Sequence, residues 1–239
     1  MQVFLITLQA VAALLGIGVL GFWIIGRRQI PSKSLGFLTS IAIDIALPCL
    51  ILSNILLQFS PKEFPDWWKM PLWFLGFTMI TIVLSIISSK MVNKKYRGEF
   101  TISLIYQNGI FFPLIIITGI FGSDSSYLIQ LFLFIFLHAS YVYSTYALFL
   151  RNYPSPEPPL SWRRIANSIL IATVLGIVIS LVGASNYVPD FLIMALTMIG
   201  AMSTPLFMLI LGGNVYNDFL GSGASRKIYT GEVVKFVLI

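Results

Sequence analysis

Two side-chain amides, a glycine and a proline stand together in a stretch of the sequence that is otherwise apolar. Gln107, Asn108 and Gly109 precede Pro113 inside the segment 101–121. Proline removes a backbone donor and clashes with the carbonyl one turn earlier, and glycine adds conformational freedom, so a helix here is expected to break or kink. Buried amides without partners are costly. The pattern predicts either amides that bind a ligand beside a polar cavity, or amides that only satisfy backbone groups freed by the proline.

A carboxylate lies near the middle of another apolar segment. Asp44 stands about ten residues into the segment 35–57, which is about 15 Å along a helix. A charge at the centre of a bilayer costs about 3 kcal/mol on insertion scales. We interpret this acid either as a group that couples a proton or sodium ion, or as a cap for neighbouring hydroxyls that carries no function.

A histidine and two polar stripes complete the set of candidate residues. His138 shares one helix face with Gln130, Tyr141 and Thr145. This face either lines a ligand path, with a side chain that can titrate near neutral pH, or joins helices through hydrogen bonds. A weaker stripe recurs at helical spacing in the segment 70–91, and we interpret it as interhelical hydrogen bonding. It consists of Thr78, Thr81, Ser85 and Ser88.

The elements that must position these residues are membrane helices. Hydrophobic residues make up 57% of the chain and charged residues 10%, whereas soluble domains average about 25% charged. The apolar segments approach or exceed the roughly 20 residues that span a bilayer. They cover residues 3–25, 35–57, 70–91, 101–121, 127–150, 165–182 and 191–215, and an eighth begins near Glu232. The sequence therefore predicts an all-α, polytopic transmembrane bundle in a lipid bilayer.

Positive charge is distributed unevenly between the connecting loops. The formal net charge is +6, but the cations lie in short loops between spans, which argues against a nucleic-acid partner. Twelve of them follow the first, third, fifth and seventh segments, and only Lys62 and Lys69 lie in the alternate loops. By the positive-inside rule, the N-terminus is outside the cell.

The small number of cysteines and histidines limits the disulfides, metal sites and catalytic sites that the chain can form. A single cysteine, Cys49, excludes an internal disulfide and a cysteine-based metal site, and the single histidine argues against a zinc protease. We find no phosphate-binding loop or dinucleotide motif. The expectation is a protein without cofactor or metal and without enzymatic activity.

The second and seventh segments share a pattern. Leu38-Thr39-x-Ile41 precedes Pro48, and Leu196-Thr197-x-Ile199 precedes Pro205, with a gap of one residue. Because the seventh segment comes five segments after the second, and five is odd, the second copy enters the membrane in the opposite orientation, as in an inverted repeat. We interpret Pro48 and Pro205 as kinks in a scaffold.

These features together resemble the auxin efflux carrier family of membrane transporters. The resemblance rests on Ile45-Ala46-Leu47-Pro48, on Gln107-Asn108-Gly109 followed by Pro113-Leu114, and on motifs of the sixth and seventh segments. Those motifs are Val174-Leu175-Gly176, Val188-Pro189, Thr204-Pro205-Leu206 and Leu211-Gly212. One departure is Ile115, which stands where the family has a second proline.

The resemblance implies ten helices in two inverted sets of five, with the fourth and ninth broken. It implies a scaffold of helices one, two, six and seven that dimerises, and secondary transport of a small organic acid across the plasma membrane. Gln107, Asn108, Gly109 and Pro113 would then belong to the substrate site, with coupling to protons or sodium.

We divide the chain into a first five-helix repeat at 1–152, a proline-rich cytoplasmic linker at 153–164, and an incomplete second repeat at 165–239. On this division the chain is truncated in its eighth span and is expected not to transport alone. An alternative is a non-transporting, dimerising membrane scaffold from a truncated paralogue. An intramembrane enzyme would need clustered acids or a metal, whereas Asp44, Glu99 and Glu232 are scattered.

Overall fold

The computed structural model describes residues 2–27, 31, 34–94, 97–106, 111–122, 125–138, 140–142, 145 and 167–217. Gln107, Asn108, Gly109, the linker 153–164 and the eighth apolar segment lie outside these residues, so the predictions made for them stay predictions. The α-helices of the described part are α1 (Gln2–Gly26), α2 (Ser34–Ile41), α3 (Leu47–Gln58), α4 (Lys69–Ser89), α5 (Arg97–Ile105), α6 (Phe111–Phe121), α7 (Ser126–Phe134), α8 (Ser168–Leu181), α9 (Asp190–Ala201) and α10 (Ser203–Tyr216).

Several of these helices have the length and apolarity of membrane spans. Three helical segments are long and apolar enough to cross a bilayer: Ser34–Gln58, Lys69–Ser89 and Asp190–Tyr216. Val11–Gly26, Ser126–Val142 and Ser168–Leu181 are shorter apolar helices. The described residues contain no strand. An all-helical membrane protein with several spans is thus confirmed, whereas the inverted repeat and its ten-helix topology stay predictions.

The three prolines noted in the sequence each lie in the first turn of a helix that follows an interruption. Pro48 is the second residue of α3, directly after a π-helical turn at Ala42–Ala46. Pro113 is the third residue of α6, and Pro205 is the third residue of α10. Proline is tolerated in a first turn, where its missing N–H would usually have no intrahelical partner. At α3 the N–H of Leu47 still donates to the carbonyl of Ala42 across the π turn. The assignment of Pro48 and Pro205 as scaffold kinks remains a prediction.

Helices α1 and α10 pack with their backbones in close approach. A Cβ atom at Gly21 would overlap the carbonyl oxygen of Leu209, and one at Gly212 would overlap the carbonyl oxygen of Gly18. Small residues let helices associate in lipid, where apolar surface alone gives no driving force. Because glycine has no side chain, Gly21 and Gly212 allow the backbones of α1 and α10 to pack closely, and this packing holds the two helices together.

Helix α3 lies at the centre of the bundle and packs against α8 and α9. Gly200 on α9 lies against the backbone of Leu50, and Gly176 on α8 lies against the side chain of Ile55. Buried apolar side chains of α3, α7, α8 and α10 form the core between them. They include Leu47, Ile51, Ile55, Leu128, Phe132, Ile169, Ile177, Phe207 and Ile210.

Helix α4 packs against α5 and α7 at the side of this core. Arg97, the first residue of α5, donates from Nε to the carbonyl of Ser89 at 2.9 Å. Its Nη2 donates to the carbonyls of Lys90 and Val92, each at 3.4 Å. The Ser89 carbonyl also accepts from the Val92 N–H at 3.2 Å, so the arginine adds a side-chain donor to the carbonyls at and just beyond the end of α4. The arginine thereby fixes α5 against the helix that precedes it.

Candidate functional site

The apolar segment with the amide pair is described as two helices. The first, α5, ends at Ile105, and the Tyr106 N–H still donates to the carbonyl of Ile102 at 2.9 Å. The second, α6, begins at Phe111, so that Pro113 lies in its first turn. α5 packs against α4, whereas α6 packs against α1 and α7. The two halves therefore have different neighbours, and residues 107–110 connect them.

A hydrogen bond between distant parts of the chain holds the end of α5 in place. The hydroxyls of Tyr106 and Thr145 lie 2.8 Å apart. Thr145 Oγ1 donates its one proton to the carbonyl of Tyr141 at 2.6 Å, so the Tyr106 hydroxyl is the donor to Thr145. The rings of Tyr106 and Tyr141 also pack, with centroids 5.8 Å apart. The residue directly before the amide pair is thus anchored to the helical residues that follow α7.

A cavity of about 40 Å³ lies between α4, the end of α5 and the chain around His138. Its lining combines aromatic rings with an imidazole and three hydroxyls. The lining residues are Phe74, Phe77, Thr78, Thr81, Ile105, Phe134, Ile135, His138 and Tyr141. A volume of this size accommodates about two or three water molecules. The cavity adjoins the interruption because Ile105 is the last residue of α5.

Polar groups inside this cavity are incompletely paired. The Tyr141 hydroxyl is buried and has no hydrogen-bond partner among the described residues. Thr81 Oγ1 donates to the carbonyl of Phe77 at 2.9 Å, which leaves its oxygen lone pairs available. The Phe74 ring packs edge-on against the rings of His138 and Tyr141, with centroids 5.7 and 6.2 Å away. The site therefore offers an imidazole and hydroxyls within an aromatic wall.

The chain matches the model of a family described as membrane transport protein over residues 6–158. The match covers more than half of the chain and includes α1 to α7, the interruption and the cavity. The chain belongs to this family. The resemblance to the auxin efflux carriers is thereby confirmed. No curated protein matches the sequence.

Two residue sets that the sequence left apart meet in this member of the membrane transport protein family. His138 and Tyr141 face Thr78 and Thr81 across the cavity, whereas Gln130 is not among its lining residues. The sequence predicted both stripes from helical spacing but gave no signal that they share one cavity. The family is one of transporters, so we consider the site as a binding site.

Asp44 lies elsewhere in this membrane transport protein. It occupies the π-helical turn before Pro48 and is exposed. Its Oδ1 accepts a hydrogen bond from the Ser168 hydroxyl at 3.4 Å, at the start of α8. π turns occur frequently at functional sites. Asp44 does not line the cavity, and the described residues contain no cluster that could hold a metal ion.

Proposed function

We propose that the chain acts in secondary active transport of a small organic anion across the plasma membrane. Membership of a transporter family carries this proposal, and the cavity between α4, the end of α5 and the chain around His138 supports it. Interrupted helices are where many secondary transporters bind their substrates. The organic anion as ligand follows from the resemblance to the auxin efflux carriers.

Individual residues receive roles on this proposal. The amides of Gln107 and Asn108 donate hydrogen bonds to the carboxylate, while Gly109 and Pro113 shape the interruption. Asp44 and His138 are the candidates for ion coupling because ionisable residues in spans mark ion and proton paths. Pro48 and Pro205 kink a scaffold in which α1, α3, α8, α9 and α10 pack together, and we propose that two such scaffolds form a homodimer. Light scattering of the purified chain tests the homodimer.

Ligand binding tests the substrate site. The chain in lipid nanodiscs is screened by thermal shift with succinate and benzoate, and affinity is then measured for Asn108→Ala. Loss of an amide donor to a carboxylate is expected to weaken binding at least about tenfold. Asn186→Ala, an exposed amide in the turn between α8 and α9, is the matched control. Equal affinities in the two variants would remove Asn108 from the site.

Orientation is tested with the single cysteine removed. We propose that the N-terminus is outside, so the turn at Asn186 is outside and the loop at Lys94 is inside. In a Cys49→Ser background, Asn186→Cys should react with an impermeant maleimide in intact cells. Lys94→Cys should react only after the cells are permeabilised. The reverse pattern would invert the proposed orientation.

A further inference from the structure

The cavity between α4, α5 and residues 134–141 has the properties of a hydrated site. A buried hydroxyl without a partner is unfavourable, and in native proteins an ordered water commonly supplies the missing bond. The Tyr141 hydroxyl is such a group, and the cavity around it measures about 40 Å³. One water molecule needs about 10–15 Å³ and two to four polar partners. Tyr141, His138 and the two threonines provide those partners.

The groups that face His138 are neutral. From α4 the cavity receives Phe74, Phe77, Thr78 and Thr81, and from α5 it receives Ile105. Two tyrosines are the other titratable groups nearby: Tyr141 lines the cavity, and the Tyr106 ring packs on Tyr141. On the side towards α8, the Asn167 amide donates to the Ser140 hydroxyl at 3.0 Å. No carboxylate and no cation is among the described residues that line the cavity.

This composition distinguishes between two kinds of coupling ion. Hard metal cations are typically bound by about six or more oxygen ligands that include carboxylates, whereas this lining offers three hydroxyl oxygens, one imidazole and no carboxylate. Histidine is the side chain whose charge changes most readily near neutral pH. Ionisable side chains within spans frequently belong to proton relays. The lining therefore fits a proton better than it fits sodium.

We propose that the cavity is a hydrated proton-binding site in which His138 takes up the proton that accompanies the anionic ligand. The lone pair of a neutral imidazole nitrogen accepts a proton from cavity water, which regains it from solvent, and the proton returns to water by the reverse step. No other bond changes. The water that bridges to Tyr141 holds the imidazole in contact with the solvent.

Charge provides the link to the ligand. A protonated His138 has no carboxylate partner among the described lining residues, so its positive charge is available to an anion near residues 107–110. Ile105 lines the cavity, ends α5 and precedes Gln107 by two positions in the sequence. By linkage, protonation strengthens anion binding by the same factor by which the anion strengthens proton binding. We expect a factor on the order of ten. This second half of the proposal rests on the proposed function, whereas the cavity half does not.

The cavity half is tested by NMR of the 239-residue chain in nanodiscs. Because the sequence has one histidine, ¹⁵N-histidine labelling reports on His138 alone. The ring signals should show one protonation step between pH 8 and 5, and magnetisation should transfer from water to the ring. Tyr141→Phe should reduce that transfer at least about twofold by removing the bridging partner, while Tyr187→Phe, at an exposed ring, should not. A ring that stays neutral to pH 5, or that shows no contact with water, overturns the proposal.

The coupling half is tested with benzenesulfonate, whose charge does not change over this pH range. Affinity should rise on the order of tenfold between pH 8 and 6 in the parent chain. His138→Asn should bind with one affinity at both values of pH. If His138→Asn instead lowers the affinity by the same factor at both values of pH, the variant keeps the pH dependence of the parent chain. His138 is then structural and the coupling is overturned. Absence of any anion binding, with the NMR result intact, would contradict the proposed function and leave the proton site standing.

Discussion

Helices α1 and α10 meet through glycine backbones, whereas α4 and the chain around His138 line a partly open cavity. At the first contact, the Cβ that alanine would add at Gly212 coincides with a carbonyl oxygen of Gly18. At the second, about 40 Å³ is left between aromatic and hydroxyl side chains. The same bundle thus contains one contact with no spare volume and one with room for water.

The difference follows from what holds helices together in lipid. Association there depends on close packing and hydrogen bonds, since lipid is as apolar as the helices themselves. A contact made by glycine maximises packing and has no means of adjusting. A contact made across water or through a hydroxyl can rearrange at small cost. We therefore expect the loss in free energy of unfolding to be several-fold larger for substitutions at the glycine contact than for substitutions beside the cavity.

The largest effect is expected for Gly212→Ala. The added methyl meets backbone atoms of Gly18 and Phe22, which cannot rotate away as a side chain can. Overpacking of this kind typically costs about 1–3 kcal/mol. Because backbone atoms cannot move aside, we expect Gly212→Ala to cost about 3 kcal/mol. The measurement is the free energy of unfolding in mixed micelles.

Gly16→Ala is the matched control for that substitution. Gly16 lies on α1 as well, but nothing is within 4 Å of the Cβ position. Alanine also favours a helix over glycine by about 1 kcal/mol, so this variant should be as stable as the parent or more so. Equal destabilisation by both substitutions would contradict the close packing of α1 and α10.

An intermediate effect is expected for Gly176→Ala. The new methyl would lie 2.9 Å from Cγ2 of Ile55, which is a side chain and can shift. We expect a loss of about 1 kcal/mol, because repacking offsets part of the overlap. Gly200→Ala provides the comparison, since its methyl would lie 2.7 Å from Cα of Leu50, an atom of the backbone. Gly200→Ala should be the more destabilising of the two in the same unfolding assay, and the opposite order would refute the distinction.

A smaller effect is expected beside the cavity. Tyr106→Phe removes the hydrogen bond to Thr145, which joins residues 39 apart in sequence. Interhelical bonds in membrane proteins average about 0.6 kcal/mol, and we expect a loss of that order. Tyr187→Phe, at a ring that is 87% exposed, should change nothing. If Tyr106→Phe lowers the free energy of unfolding by about 2 kcal/mol or more, the hydrogen bond stabilises other parts of the fold in addition to α5.

The sequence predicted that the chain is helical and apolar, and it predicted the bounds of some helices. Apolar length predicted α1 within one residue at each end, because a span must bury its backbone in lipid. Pro48, Pro113 and Pro205, which the sequence singled out, lie in the first turns of α3, α6 and α10, and their assignment as kinks or breaks stays a prediction. The form of each interruption was not predictable. A π turn before Pro48 and a turn at Met202 are alternative ways of releasing the same clash, and packing selects between them.

The site was predictable only in part. Spacing placed His138 and Tyr141 on one face, and Thr78 and Thr81 on another, since both follow from helical period alone. That the two faces enclose one cavity depends on how α4 lies against α7, which no local pattern encodes. The hydrogen bond between Tyr106 and Thr145 was not predicted either, because it also depends on how the helices pack. For Asp44, depth in the span was predicted, but its exposure and its contact with Ser168 depend on the packing of α8.

The smallest effect on stability is expected for Asp44→Asn. The side chain is exposed, and the amide oxygen of asparagine can still accept the long hydrogen bond from Ser168. The rule that exposed substitutions stay within about 0.5 kcal/mol applies here if the carboxylate faces water. If it faces lipid, removing the charge should stabilise the protein. Asp190→Asn is a useful comparison, since Asp190 lies in the first turn of α9, where its charge favours the helix. It should cost more than Asp44→Asn in the unfolding assay. If Asp44→Asn is the costlier substitution, the acid is structural. If it is the milder one and removes the pH dependence of transport, the carboxylate is used for coupling and not for folding.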